Sequence, residues 1–95
     1  MTWLAFDIGT TGTKAAILDG GGRTLQSAYR AYPMRSAEGG IAEQNAVDWW
    51  HAIVESARKL DTSAVEAVAL TGQMQDVILL NEQGTPARRV ILYSE

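Results

Sequence analysis

The residues best suited to chemistry form one short segment, Asp7-Ile8-Gly9-Thr10-Thr11-Gly12-Thr13-Lys14. An acidic residue ends a buried run, a turn rich in glycine and threonine follows, and a second run leaves that turn. The glycines let the backbone approach a ligand closely, and successive N–H groups in such a turn can form a concave nest for phosphate. The threonines add hydroxyl donors, the lysine adds a positive charge, and the carboxylate of Asp7 suits magnesium, a cation that prefers oxygen ligands.

Two common phosphate-binding motifs do not fit this segment. It is not a Walker A loop, because the spacing from glycine to lysine is wrong. It is not a dinucleotide fingerprint either, because no G-x-G-x-x-G sequence occurs and no helix is predicted directly after the turn. The same residue types also suit an ordinary hairpin turn with a capping aspartate, and by themselves they leave both interpretations open.

Aromatic and basic residues later in the chain are further candidates. Trp50 falls on the apolar face of a predicted helix, which favours a place in the core, whereas Trp49 and His51 fall off that face. Trp49 could stack on a sugar ring or pack against a further part of the chain, and packing is favoured because interfaces are rich in tryptophan. For His51 and for the pair Arg88-Arg89, a solvated position is the preferred interpretation.

Charge and composition exclude several classes of protein. The 95 residues carry 8 basic and 11 acidic side chains, a net charge of −3, so no strong basic surface points to nucleic acid or to an anionic membrane. Without cysteine there are no disulfides, thiolate metal sites or cysteine nucleophiles, and His51 alone cannot build a zinc site. No apolar run approaches the roughly 20 residues of a membrane span and the N-terminus lacks a basic secretory region, so we expect a cytoplasmic protein with no membrane partner.

Short apolar runs separated by glycine turns predict the strands that position the segment at residues 7–14. Strands at residues 3–8, 13–18 and 23–34, with turns at residues 9–12 and 19–22, predict a three-stranded antiparallel meander. The polar residues that follow, 36–44, contain two glycines and are predicted to be a loop.

An amphipathic helix is predicted over residues 46–60. Asn45 is a suitable N-cap, and Asp48 lies in the first turn, where the helix dipole favours an acidic group. The spacing of the apolar residues defines the face expected to be buried. That face carries Val47, Trp50, Val54, Ala57 and Leu60.

The last third of the chain predicts further strands at residues 65–71, 76–80 and 90–93, with a loop at residues 72–75. The order β-β-β-α-β followed by a further β pair predicts an α/β fold with a mixed sheet and a helix on one face. Nothing like a C-terminal helix closes this domain, so we expect the sequence to be part of a longer one.

Four motifs in the chain resemble the FGGY carbohydrate kinases. In chain order they are similar to the first phosphate-binding motif of that family, the segment before its first helix, its sugar-site loop and the strands after that loop. Within the family, the sequence Gly72-Gln73-Met74 looks most like the xylulose kinase branch. The matching segments are residues 6–14, 40–44 with 48–50, 70–76, and 79–86 with 90–93.

The resemblance implies an actin-like, ribonuclease-H-like ATPase fold and transfer of the γ-phosphoryl group of ATP to a sugar hydroxyl, a reaction that depends on positioning and charge neutralisation. Asp7 would organise Mg²⁺. The residues that would bind the phosphates of ATP are Gly9, Thr10, Thr11, Gly12, Thr13 and Lys14. The residues that would line the sugar site are Gly72, Gln73, Met74 and Gln75, with the last two nearest the substrate.

The chain departs from the family pattern in two ways. Many members carry histidine at the position of Gln75, which leaves the identity of the sugar open. Members are also several times longer, with two domains around a cleft and a catalytic base that would lie beyond Glu95. We therefore expect a partial N-terminal domain, without the second domain, of a kinase acting on a ketopentose such as xylulose or on a related polyol, and inactive by itself.

The partners expected from the resemblance are the sugar and the remainder of the kinase chain, and assembly of several copies is left open. The alternative is a short, non-catalytic binding or interaction module derived from a kinase domain, whose exposed strand edge and Trp49 would serve a partner.

Overall fold

The computed structural model describes residues 1–73 and 76–92, in which two β-sheets are joined through one helix. The described strands form a larger sheet in the order β3-β2-β1-β6 and a smaller sheet in the order β4-β5-β7. The elements are β1 (Trp3–Ile8), β2 (Gly12–Leu18), β3 (Thr24–Ala31), β4 (Arg35–Ala37), β5 (Ile41–Gln44), α1 (Ala46–Arg58), β6 (Ala67–Gly72) and β7 (Val90–Ile91).

The larger sheet confirms the predicted meander and the mixed α/β class. Strands β1, β2 and β3 pair antiparallel in sequence order, and β6 returns parallel to β1 after the helical crossover. A parallel partner requires such a crossover, because a short turn can only reverse the chain. In the turn between β2 and β3, Gly22 has a φ of 83°, a left-handed conformation that glycine adopts without steric cost.

One face of the larger sheet packs against α1 and forms the main core. Strand alternation places Leu4 and Phe6 of β1 opposite Ile17 and Ala15 of β2, and all four side chains are buried. The helix covers β2 and β3 and only touches β1. The apolar residues that pack around this core are Ile8, Ile53, Ala57, Leu60 and Val65.

Strand β6 extends beyond the area that α1 covers. Its register places Val68 beside Leu4 and Leu70 beside Phe6, so these side chains share the apolar face of the sheet. They are nevertheless 59% and 66% exposed. An apolar surface therefore continues past the helix along β6.

The predicted loop at residues 36–44 is wrong, because this segment forms the hairpin of β4 and β5. Gly39 and Gly40, with φ values of 84° and 79°, form its turn.

Strand β5 then enters the interior, where Glu43 is 6% exposed and pairs with Arg35 at 2.9 Å and with Arg88. The polar composition concealed the strand because its buried polar groups are satisfied by partners distant in sequence. Arg88 is exposed, as expected, and it also pairs with this buried carboxylate.

The predicted helix is confirmed in position but shorter than expected, since α1 ends at Arg58 rather than at residue 60. Asn45 occupies the N-cap with an extended backbone, at φ −91° and ψ 124°, and its carbonyl accepts a bond from Asp48 N at 3.0 Å. The Asn45 side chain makes no capping hydrogen bond. The start of the helix therefore depends on backbone geometry.

The buried face of the helix agrees only in part with the predicted one, since Ala57 and the nearby Leu60 pack against the main core as expected. Its buried residues are the small Ala52 and Ser56, which let the helix approach the sheet, while Val47 and Trp50 are 50% and 63% exposed. The core position predicted for Trp50 is therefore wrong. Trp49 instead packs on the second core, which consists of Ala42, Val90 and Leu92 with Ala46 beside them.

Residues 76–80 were predicted to form a strand, but in the structure they make only isolated bridges, from Val77 to Ile91 and from Leu80 to Pro86. The last predicted strand is reduced to β7, which pairs with β5, and Tyr93 lies outside the described residues. Within the described part of the chain, no helix combines the length and the apolar character that a membrane crossing requires.

Candidate functional site

The candidate site lies where β1 and β6 end side by side. The two strands are parallel, and their last residues, Ile8 and Gly72, are register partners. The glycine- and threonine-rich turn and Gln73 therefore lie at the same edge of the sheet. The two are joined directly, because Gln73 Nε2 donates to the carbonyl oxygen of Gly9 at 3.0 Å. The carboxyl ends of parallel strands are the usual place for ligands in α/β sheets.

Every backbone carbonyl of the turn from Gly9 to Gly12 accepts a hydrogen bond from the protein. The donors are Tyr32 Oη and Gln73 Nε2 for Gly9, Gln44 Nε2 for Thr10, the Tyr32 N–H for Thr11, and the Gly9 N–H for Gly12. Among the described residues, the N–H groups of Thr10 and Thr11 have no hydrogen-bond partner. The carbonyls, which are the negative ends of the peptide dipoles, are therefore engaged in hydrogen bonds. The N–H groups of Thr10 and Thr11, which are positive ends, are available for an anion.

The threonine hydroxyls of the turn differ in their availability. Thr13 is completely buried, and its Oγ1 donates to Tyr32 Oη over 3.4 Å. Thr11 is exposed, and its Oγ1 shares a hydrogen bond with Tyr29 Oη at 3.0 Å. Thr10 is half-buried. Two tyrosines from β3 and its end thus support the turn from beneath.

Tyr32 remains a hydrogen-bond donor across the physiological range. Burial raises the pKa of its phenol above the ordinary 10.0, and the charges of Tyr29 and Asp7 act in the same direction, while the hydrogen bond from Thr13 opposes them. The neutral hydroxyl can therefore donate to the Gly9 carbonyl. Sequence reasoning missed Tyr32 as a site residue, because nothing local shows that a residue 23 positions away supports the turn.

The two glycines of the turn are required by close packing within the protein. A Cβ on Gly12 would lie 2.6 Å from the Arg30 carbonyl oxygen and would meet the ring of Tyr29, and one on Gly9 would lie 3.1 Å from the Gly12 carbonyl oxygen. Neither glycine has a positive φ. A left-handed backbone is therefore not the reason for glycine at position 12.

Asp7 and Lys14 lie on the face of the larger sheet opposite to α1. They are cross-strand partners, so their exposed side chains project from the same face at the start of the turn. Among the described residues, no cluster of three or more acidic, histidine or cysteine side chains could hold a metal ion. Asp7 alone fits the donor set of Mg²⁺, which commonly takes one or two carboxylates together with substrate phosphates and waters.

A pocket of about 270 Å³ opens beside the loop that follows β6. It combines apolar walls with two polar side chains, those of Gln73 and Asp76, which is the usual composition of a small-molecule site. Two predicted sugar-site residues, Gly72 and Gln73, line it. The other two, Met74 and Gln75, lie outside the described residues. The pocket is lined by Ile8, Trp49, Gly72, Gln73, Asp76 and Ile78.

Comparisons with known proteins identify the fold and the family of the chain. A solved structure of a xyloylose kinase from Brucella ovis superposes on 99% of the chain with a TM-score of 0.92 and 26% identity, but only 21% of that kinase is covered. The fold is therefore that of the N-terminal domain of the sugar kinases with the actin-like ATPase fold. Residues 2–95 match the N-terminal domain of the FGGY family of carbohydrate kinases, and the chain belongs to that family.

Curated relatives show the same partial coverage. The xylulose kinase of Bacillus subtilis (strain 168) is 24% identical over 98 residues, covering 97% of the chain. The apulose kinase of Pectobacterium atrosepticum is 31% identical over 97 residues, also covering 97% of the chain. In both cases the match spans 20% of the relative, so the chain corresponds to about a fifth of these kinases.

Proposed function

We propose that the chain is part of an ATP-dependent sugar kinase that transfers the γ-phosphoryl group to a hydroxyl of a ketopentose such as xylulose, or of a related sugar or polyol. The observation that carries this proposal is the turn at residues 9–12, whose carbonyls are all engaged, while the N–H groups of Thr10 and Thr11 have no partner among the described residues. A turn with this polarity attracts a phosphate and repels a cation.

The phosphate site combines this turn with the charged pair beside it. Thr10 and Thr11 would donate backbone N–H groups to the phosphates, and Lys14 would neutralise part of their charge. Asp7 would hold Mg²⁺, which supplies charge neutralisation on the transferred group when bound. The buried Thr13 would contribute indirectly, by supporting Tyr32 beneath the turn.

The sugar site would be the pocket next to the turn. Gln73 and Asp76 offer polar groups for hydroxyls, and the indole of Trp49 offers an apolar surface for the carbon skeleton. The names of the relatives include xylulose kinase and apulose kinase, both of which act on sugars with several hydroxyl groups. Gln75 in place of the more frequent histidine would then affect which sugar is preferred, since an amide and an imidazole differ in reach and in protonation.

The chain would supply part of each site but no general base, so it is proposed to be inactive or nearly so without the rest of the kinase. Half of a cleft binds weakly, because the cost of ordering the ligand is not offset by full enclosure. The alternative function is a non-catalytic interaction module, which the exposed apolar surface along β6 favours.

The experiment that tests the kinase proposal is the substitution Asp7→Asn in the complete protein that carries this chain. The Asp7 side chain is exposed, so the fold should be unaffected, while calorimetric binding of magnesium with a non-hydrolysable ATP analogue should be lost. Glu38→Gln, which removes one exposed carboxylate in the β4–β5 turn, is the matched control. Binding that persists unchanged in Asp7→Asn would refute the metal role of this residue.

A further inference from the structure

Gln44, the last residue of β5, connects three segments that are far apart in the sequence. It is only 2% exposed, and both ends of its amide are used. Its Nε2 donates to the carbonyl of Thr10 in the turn. Its Oε1 accepts from Trp49 Nε1 at 3.0 Å and from Gln73 Nε2 at 3.2 Å.

The chemistry of the neighbours fixes the orientation of this amide. A backbone carbonyl can only accept and an indole N–H can only donate, so Nε2 must face Thr10 and Oε1 must face Trp49. Gln73 is oriented in the same way, because its Nε2 lies between two acceptors, the Gly9 carbonyl and Gln44 Oε1. The two glutamines thus form one directed hydrogen-bond chain.

We propose that Gln44 is a positioning residue that couples the nucleotide side of the site to the sugar side, a role that rests on the proposed kinase function. Gln44 and Gln73 hold the carbonyls of Thr10 and Gly9 away from the anion site. Gln73 also directly precedes Met74 and Gln75 in the sequence, the two residues proposed to lie nearest the sugar. A displacement of the turn when nucleotide binds therefore alters the Gln44 bonds and reaches both Gln73 and Trp49.

This coupling requires both the Nε2 donor and the Oε1 acceptor of Gln44. A substitution that removes the donor and keeps the acceptor therefore tests it. Gln44→Glu retains the shape and the acceptor for Trp49, but it removes the donor to Thr10 and places a carboxylate against a carbonyl oxygen. Gln26→Glu is the matched control, because within the described residues Gln26 Oε1 accepts one bond, from the exposed Asp61 N–H at 3.0 Å, and a carboxylate preserves that bond.

The first measurement uses the complete kinase with ¹⁵N-labelled tryptophan and Mg·ADP as the probe, without sugar. The indole N–H resonance of Trp49, assigned by its loss in Trp49→Phe, should shift on binding in the wild type and in Gln26→Glu, and should not respond in Gln44→Glu. If the Trp49 resonance of the wild type does not shift when Mg·ADP binds, the proposal is overturned, whether or not any Gln44 variant folds.

The second measurement is kinetic. The KM for ATP should rise about tenfold in Gln44→Glu, the size expected for a lost hydrogen bond with a buried carbonyl left unsatisfied, and it should be unchanged in Gln26→Glu. The dissociation constant of Mg·ADP should also lose its dependence on D-xylulose, since coupling between two ligands is reciprocal. A Gln44→Glu enzyme with the wild-type KM for ATP and intact coupling overturns the proposal.

Failure of the kinase function gives a different result. Calorimetry would then show no binding of Mg·ADP to the wild-type protein, which refutes the function itself. Spectra recorded without ligand still test the link made by Gln44. In these spectra, Gln44→Glu should shift the amide resonances of Thr10 and Thr11 together with the indole resonance of Trp49. Independent behaviour of the turn and Trp49 in those spectra contradicts the link.

Discussion

At the scale of single residues, the turn after β1 is held mainly by side chains from elsewhere in the chain. Tyr32 and Gln44 lie 23 and 34 positions away from the carbonyls that they bind. The glycines at positions 9 and 12 allow the chain to pass close to its own backbone. The hydrogen-bonded form of the turn is therefore a property of the folded domain, which the local sequence alone does not provide.

Tyr32 predicts a dependence of stability on alkaline pH. Its pKa is raised by burial, so the unfolded phenol ionises first, and the stabilisation is complete below pH 10.0 and lost as pH rises through the folded pKa. Tyr32→Phe should lower the free energy of unfolding by about 1 kcal/mol at neutral pH, because a hydrogen bond is lost. Above pH 10, the variant should lose less stability with rising pH than the wild type does. Urea unfolding at several pH values would show this, with Tyr29→Phe as the control that retains the alkaline loss.

Gly12→Ala tests whether the turn tolerates a side chain. A Cβ 2.6 Å from the Arg30 carbonyl oxygen must displace backbone, so we expect a loss of about 1–3 kcal/mol in unfolding free energy. Gly21→Ala is a suitable comparison, because a Cβ there would lie 3.5 Å from Asp19 Oδ1, an ordinary contact. Equal denaturation midpoints for the two variants would contradict the close-packing role of Gly12.

At the scale of elements, the sequence predicted those strands and turns that local patterns specify. The meander follows from apolar runs separated by glycine turns, and the parallel strand β6 follows from the helix before it. The β4–β5 hairpin was missed because Glu43 is buried with Arg35 and Arg88, a pairing that no local pattern shows. The buried face of α1 was misjudged in part because Trp49 packs on a second core that includes Val90 and Leu92, which lie far along the chain.

The candidate site was predictable to a similar extent. The glycine- and threonine-rich segment and Gln73 were predicted as site residues, the first from its composition and the second from the family resemblance, and the structure brings them together. Gln44 was noted only as part of a motif, and its bonds to Thr10 and Gln73 depend on the tertiary structure. Long-range hydrogen bonds of this kind leave no periodic signal in a sequence.

Glu43 holds the smaller sheet together through two arginines. Glu43→Gln should lower the free energy of unfolding by about 1–3 kcal/mol, because it leaves two arginines facing a buried position that carries no charge. The comparison is Glu55→Gln, which breaks an exposed pair with Arg30 and should change stability by no more than about 0.5 kcal/mol. Similar urea midpoints for the two variants would show that the Glu43 cluster is not a structural tie.

At the scale of the whole molecule, apolar side chains remain exposed on β6 and on residues 77–80. Val68 and Leu70 of β6 are 59% and 66% exposed, and each of the four residues 77–80 is at least 47% exposed. Exposed apolar surface of this kind is typical of interaction sites, and we expect a further part of the protein to cover it. The coverage of about a fifth of the curated relatives is consistent with that expectation.

The isolated 95-residue chain should therefore associate through this surface. Multi-angle light scattering should show ill-defined association that increases with concentration, and it should weaken when Val68→Thr and Leu70→Thr are combined, since threonine retains strand propensity. A single defined oligomer would instead favour the interaction module. A chain that stays strictly monomeric at high concentration would contradict both the association through this surface and the interaction module.

The parallel pairing of β1 with β6 also has a consequence for synthesis on the ribosome. Trp3 pairs with Ala67, so 64 further residues must be added before β1 meets its second neighbour. At about 5–20 residues per second, this takes roughly 3 to 13 s, far longer than hairpin formation in microseconds. Throughout that interval the nascent β1–β2–β3 meander carries an open apolar strand edge, so early chaperone contact at β1 would protect the emerging polypeptide from aggregation.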